Sequence, residues 1–214
     1  IGTPWNVDGL AVGTYTVSAT YSGDNLYNAS LVTVNSVTFE VSKATSEFVV
    51  SASDVIYDAD VIVEHTINVN NGDINYTITD SAGVIVKNIT KAVGESWTVS
   101  GLAAGTYTVN ATYLGNQNYT DSTVVFNVTV SKADSTLVID VDPEYDYNDG
   151  ITIDLVTTGS DGVVSVTING KVYPVSNKQV VIEHIAAGEY TIIANLAANE
   201  NYTSIFLYKS KLHI

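Results

Sequence analysis

Aspartates at short spacing are the residues of this chain best suited to chemistry. "SDVIYDAD" carries Asp54, Asp58 and Asp60, and "DVDPEYDYNDG" carries Asp140, Asp142, Glu144, Asp146 and Asp149. Closely spaced carboxylate oxygens are what Ca²⁺ coordination needs, although neither run has the spacing and terminal Glu of an EF-hand loop. If the chain is a string of small domains, the first turn of one unit faces the next. The expectation is then a joint-stiffening Ca²⁺ held by Asp54, Asp58, Asp60 and Asp161, with Glu200 alongside. A solvated acidic turn is the alternative.

Asn-x-Ser/Thr triplets stand at Asn28, Asn75, Asn88, Asn110, Asn118, Asn127 and Asn201. In a strand, residues i and i+2 share a face, so a polar face rich in Asn and Thr produces such triplets by itself. Asn118 and Asn201, in matching "NYT" loops, are the foremost glycosylation candidates for a secreted chain, followed by Asn28 and Asn110. Lys43 and Lys132 recur in "SKA" segments. An intramolecular isopeptide bond there would need a buried lysine beside an acid, and a solvated linker lysine is the ordinary alternative. His65 falls on the inward side of "VIVEHTI", His184 in a turn and His213 near the end, so each is read as packed or surface histidine. No Ser-His-Asp spacing, phosphate loop or cleft-forming carboxylate pair stands out, and the chain reads as non-enzymatic. Trp5 and Trp97 hold the same repeat position and alternate inward with Val7 and Val99, which points to core packing rather than sugar stacking.

Composition narrows the classes further. The 214 residues are 45% hydrophobic, enough for ordinary cores, and the formal net charge is −15 with eight lysines and no arginine. Such a surface is unsuited to nucleic acid, which is gripped by clustered Lys and Arg. Without cysteine there is no disulfide or thiol chemistry. No apolar run is long enough for a transmembrane helix, and there is no signal peptide and no methionine. The sequence reads as an excerpt whose targeting and anchoring signals lie elsewhere.

The elements that must position these residues come in repeats. "WNVDGLAVGTYTVSATYSGDNLYNAS" from Trp5 matches "WTVSGLAAGTYTVNATYLGNQNYTDS" from Trp97, and the diverged "VVIEHIAAGEYTIIANLAANENYTS" starts at Val180. Tyr107, Val109, Ala111 and Tyr113 alternate with Thr106, Thr108, Asn110 and Thr112, the period of a strand with one buried face. Similar alternation and turn signals at "NNGD", "DSAG", "SDG" and "NG" give about seven strands between residues 43 and 130. That density is the mark of an Ig-like sandwich. Leu102, Gly105 and Tyr107, like Leu10, Gly13 and Tyr15, stand where a tyrosine corner would tie its hydroxyl to nearby backbone. The expectation is all-β architecture of tandem Ig-like β-sandwiches. Residues 1–42 are the last three strands of one unit, 43–131 a complete unit, and 132–214 a complete, diverged unit. The four strands missing from the first unit would come from a longer parent chain or from a neighbouring subunit.

On the segments Gly9–Ala44 and Gly101–Ala133, which end in "VSKA", the chain resembles the group 3 bacterial Ig-like repeats of adhesin-like surface proteins in methanogenic archaea and some bacteria. The third copy departs most: His184 replaces the glycine of Gly101, Glu189 replaces Thr106, and "YKSKLHI" replaces the joint. The resemblance implies an extracellular stalk or filament at the cell surface. Its partners would be other surface repeats or a host or partner cell, and it brings no catalytic residues. A polymerising filament subunit, a polysaccharide- or partner-binding module and an accessory region of a cell-wall enzyme are the alternatives.

Overall fold

The computed structural model describes residues 3–30, 36–147 and 149–214, without the side chains of Tyr208, Ser210 and Lys211. All regular elements among the described residues are strands, as the period-two patterning predicts.

The second unit contains β3 (Phe48–Ser51), β4 (Val55–Ile56), β5 (Val61–Ile67), β6 (Asp73–Thr79), β7 (Ile85–Ala92), β8 (Trp97–Val99), β9 (Gly105–Tyr113) and β10 (Ser122–Ser131). They form two sheets, ordered β3-β5-β8 and β4-β10-β9-β6-β7. The inward residues of each strand supply one shared core: Phe48, Val61, Val63 and Trp97 from one sheet, and Ile74, Tyr76, Val109 and Tyr113 from the other. This two-sheet packing with alternating inward residues is the Ig-like sandwich. The edge strand β7 carries Lys87 and Lys91, charges of the kind that discourage edge-to-edge pairing.

The strand count exceeds the expected seven by β4, where the chain leaves β3's sheet and pairs in parallel with the end of β10, Val55 opposite Val130 and Ile56 opposite Ser131. Two residues are too few to leave a period-two signature.

The third unit repeats the plan with β11 (Thr136–Asp140), β12 (Ile151–Thr158), β13 (Val164–Ile168), β14 (Lys171–Tyr173), β15 (Gln179–Ile182), β16 (Glu189–Leu196) and β17 (Ile205–His213). Its sheets are β11-β12-β15 and β14-β13-β16-β17, around a separate core of Ile151, Ile153, Val166, Ile192, Leu196 and Leu212. The "NG" turn is the expected two-residue hairpin: Ile168 faces Lys171, and Asn169 and Gly170 both take positive φ, 46° and 79°.

Among the described residues before Lys43, the first unit has β1 (Gly13–Ser18) and β2 (Ser36–Val41), an antiparallel pair in the register of β9 with β10. The expected third strand at Trp5 does not form. Its counterpart β8 pairs with β5. Among the described residues Trp5 and Val7 are exposed, unlike the inward placement expected from their repeat position. Trp5 is 78% exposed, whereas Trp97 is 7% exposed.

Candidate functional site

The three tyrosine corners are built alike. The hydroxyls of Tyr15, Tyr107 and Tyr190 donate to the carbonyls of Ala11, Ala103 and Ala186, four residues upstream in each case, at 2.7, 2.8 and 2.7 Å. Each bond ties the loop entering the hairpin to the strand that follows it. For Tyr107, burial and the charges of Asp80 and Glu200 raise the hydroxyl pKa, so it stays a donor. Tyr107→Phe is expected to lower stability by about 1 kcal/mol, the net worth of one such bond. Urea denaturation of the variant checks this.

The "GNQNYT" and "ANENYT" segments form a second matched device. Asn116 Oδ1 accepts the amides of Asn118 and Tyr119 at 2.8 and 2.9 Å, and Asn199 Oδ1 accepts those of Asn201 and Tyr202 at 2.9 and 2.8 Å. In the first unit Asp24 Oδ1 does the same for Leu26 and Tyr27, both at 2.8 Å. The "SKA" segments lie along these loops. Ala44 bridges Tyr119 and Ala133 bridges Tyr202, both in parallel. Lys43 Nζ donates to the Asn116 carbonyl at 2.7 Å, and Lys132 Nζ to the Asn199 carbonyl at 2.6 Å. Both lysines are exposed and bonded to carbonyl oxygens, which is the solvated arrangement and not the buried lysine–acid contact that an isopeptide bond requires. Sequence reasoning read these loops only as glycosylation triplets. The recurring Asn or Asp three residues before Tyr was the signal for their capping role.

The four aspartates expected to share a cation are not gathered. Among the described residues no group of three or more His, Asp or Glu side chains is placed to hold a metal ion. Asp54 spends an oxygen on the Thr129 amide at 2.7 Å, and Asp161 accepts from Asn199 Nδ2 at 2.6 Å. Asp58 sits in the β4–β5 turn with φ of 77°, beside Tyr202, and Asp60 lies exposed on a shallow groove with Ser53 and Glu64. The turn does face the third unit as expected, where Tyr57 and Asp58 lie beside Tyr202. The acidic run from Asp140 lines its own open groove with Tyr145 and His213.

Of the glycosylation candidates, Asn28 and Asn118 are exposed, Asn110 is half-buried on β9, and Asn201 is half-buried with its Oδ1 engaged. His184 is exposed, and His213 pairs with Glu189 at 3.7 Å. His65 is a packed histidine, as its inward position suggests. Gly94 donates its amide to Nε2 at 3.1 Å, so Nε2 is the unprotonated nitrogen and Nδ1 donates to the Tyr76 hydroxyl at 2.8 Å. Burial lowers the His65 pKa and pushes that of Tyr76 up to about 12. A histidine with a depressed folded pKa binds its proton more readily in the unfolded chain, near pH 6.5. Its contribution is therefore complete above about pH 6.5 and is lost as pH falls toward the folded pKa. The urea midpoint of the second unit is expected to drop as pH falls below about 6.5. His65→Gln should flatten that dependence, and an unchanged slope would contradict it.

No family model matches the sequence, and no curated protein matches it. Among solved structures, the fibronectin(III)-like modules of Clostridium thermocellum CbhA are similar at 13% identity and TM-score 0.31, covering 77% of this chain and 94% of that one. An amphioxus IgVJ-C2 molecule is similar at 12% identity and TM-score 0.35, covering 81% and 99%. A domain of a biofilm-associated protein is similar at 17% identity and TM-score 0.29, covering 76% of this chain and 29% of that one. Likenesses of this degree carry no functional inference, and the class assignment rests on the strand pairing. The chain is an all-β protein of Ig-like sandwiches.

Proposed function

We propose that this chain is a non-catalytic spacer, a segment of an extracellular adhesin-like stalk whose sandwiches are joined in series at the cell surface. The supporting observation is how a segment near the start of each unit lies against its last strand. In the second unit β4 runs parallel to the end of β10, and in the third Glu144 bridges His213 in parallel. Pulling a unit by its two termini drags parallel neighbours in opposite directions, so the bonds between them are loaded together in shear instead of being peeled one at a time. The joints reinforce this, since "SKA" is pinned to the unit it enters and leaves almost no free linker. No helix among the described residues is long and apolar enough to cross a membrane. The partners in this reading are other surface repeats or a partner cell surface.

A second reading, a subunit of a polymerising filament, is favoured by one observation. Among the described residues the β1–β2 pair has both edges unpaired and exposes Val17, Val37 and Phe39, whose counterparts in β9 and β10 face the core. A neighbouring chain could complete that half-sandwich by strand addition.

Small-angle X-ray scattering tests the serial arrangement. A compact chain of this length has a radius of gyration of about 17 Å. The spacer reading expects a clearly larger value that is independent of concentration. A value that grows with concentration points to the filament, and one near the compact figure contradicts serial units.

A further inference from the structure

The loop of the third unit does more than cap itself. Its Asn201 Oδ1 accepts the amide of Ala104, in the tyrosine-corner loop of the second unit, at 2.9 Å. The next ring, Tyr202, meets Tyr57 edge to face, with centroids 5.4 Å apart at 75°. One polar and one aromatic contact therefore join the two sandwiches, both made by adjacent residues of a loop that its own unit holds rigid. That loop is fixed by the Asn199 cap, by the Ala133 amide donating to the Asn201 carbonyl at 3.0 Å, and by the Thr203 amide donating to the Ala133 carbonyl at 2.9 Å.

The third unit carries a corner loop of the same kind, which no other unit touches among the described residues. Tyr145 and Tyr57 each donate their amide to a carbonyl of their unit's last strand, that of His213 and that of Ser131. Asp146 then follows as Asp58 does, and Ala187 stands where Ala104 does. Ala187 is exposed where Ala104 is half-buried, and Ile185 and Tyr190 are half-buried where Leu102 and Tyr107 are buried. The difference lies in the loop that covers the second unit's end.

We propose that Asn201 and Tyr202 form a unit-to-unit docking surface whose partner is the corner end of a preceding Ig-like unit. That partner presents a free corner amide and a Tyr-Asp turn, here Ala104 and Tyr57–Asp58. The pair sets the angle between sandwiches. Asp58, Asp80 and Glu200 crowd the same joint with like charge, so the contacts hold against a repulsion that salt screens. This proposal rests on the serial arrangement proposed above.

The test is the orientation of the two units in the full 214-residue chain, read from residual dipolar couplings, together with exchange of the Ala104 amide. In the unaltered chain both cores should share one alignment tensor, and the Ala104 amide should exchange about tenfold more slowly than that of Ala187, as one hydrogen bond of ordinary net strength gives. Asn201→Ala should separate the tensors and abolish the slow exchange while leaving the thermal unfolding of each unit unchanged. A common tensor in Asn201→Ala, or equally fast exchange at Ala104 and Ala187 in the unaltered chain, overturns the docking proposal. Neither outcome bears on the spacer reading, which scattering decides separately.

Discussion

Trp97→Ala is expected to destabilise the second unit by about 3–5 kcal/mol, the range for removing a large aromatic from a packed core. Trp5→Ala is expected to stay within about 0.5 kcal/mol, as surface changes do. The two residues share a repeat position and their local sequences are nearly alike, so the contrast isolates tertiary context. Trp97 lies on β8, hydrogen-bonded to β5 and packed 5.7 Å from the Tyr76 ring. Trp5 has neither partner. Its fluorescence should sit at the wavelength of a solvated indole, and a buried spectrum or a large loss on Trp5→Ala would show that residues 1–42 find a facing sheet.

The second large effect is expected at a glycine chosen for space and not for φ. A methyl group on Gly162 would overlap the Ala197 carbonyl. That carbonyl cannot yield easily, because it accepts the Ser160 hydroxyl at 2.9 Å while Ser160 Oγ accepts the Gly162 amide at 3.0 Å, and the Ala197 amide is tied to the Val163 carbonyl at 3.0 Å. Gly162→Ala should therefore cost about 3 kcal/mol, at the upper end for overpacking. Gly150→Ala is the control: its nearest neighbour would be the Ile182 carbonyl at 3.9 Å, an ordinary contact. Urea denaturation that moved the midpoint equally in both variants would remove the steric account.

Much of this architecture is written in local pattern. The alternation of Tyr107, Val109, Ala111 and Tyr113 defines β9 because a strand has only two faces, and the corner tyrosines are readable because their bond spans four residues. What eluded the sequence depends on distant partners. Trp5 carries the same signal as Trp97, whose burial depends on β5 and the core around it. Asp54, Asp58 and Asp60 have a ligand-like spacing, yet one of them caps the amide of Thr129, 75 residues away, which spacing cannot reveal. Asn201 reads as a glycosylation triplet, while its contact with Ala104 spans 97 residues and two units.

Single-molecule stretching of the full chain tests the spacer reading most directly. If sandwiches with an early segment parallel to the last strand bear load in series, the trace should show two discrete unfolding events, each releasing roughly 300 Å of chain, about ninety residues at full extension. Each event should need a high force, because the bonds of β4 to β10 and of Glu144 to His213 break together. A smooth extension without discrete events, or unfolding at forces typical of strands peeled bond by bond, would contradict the spacer account.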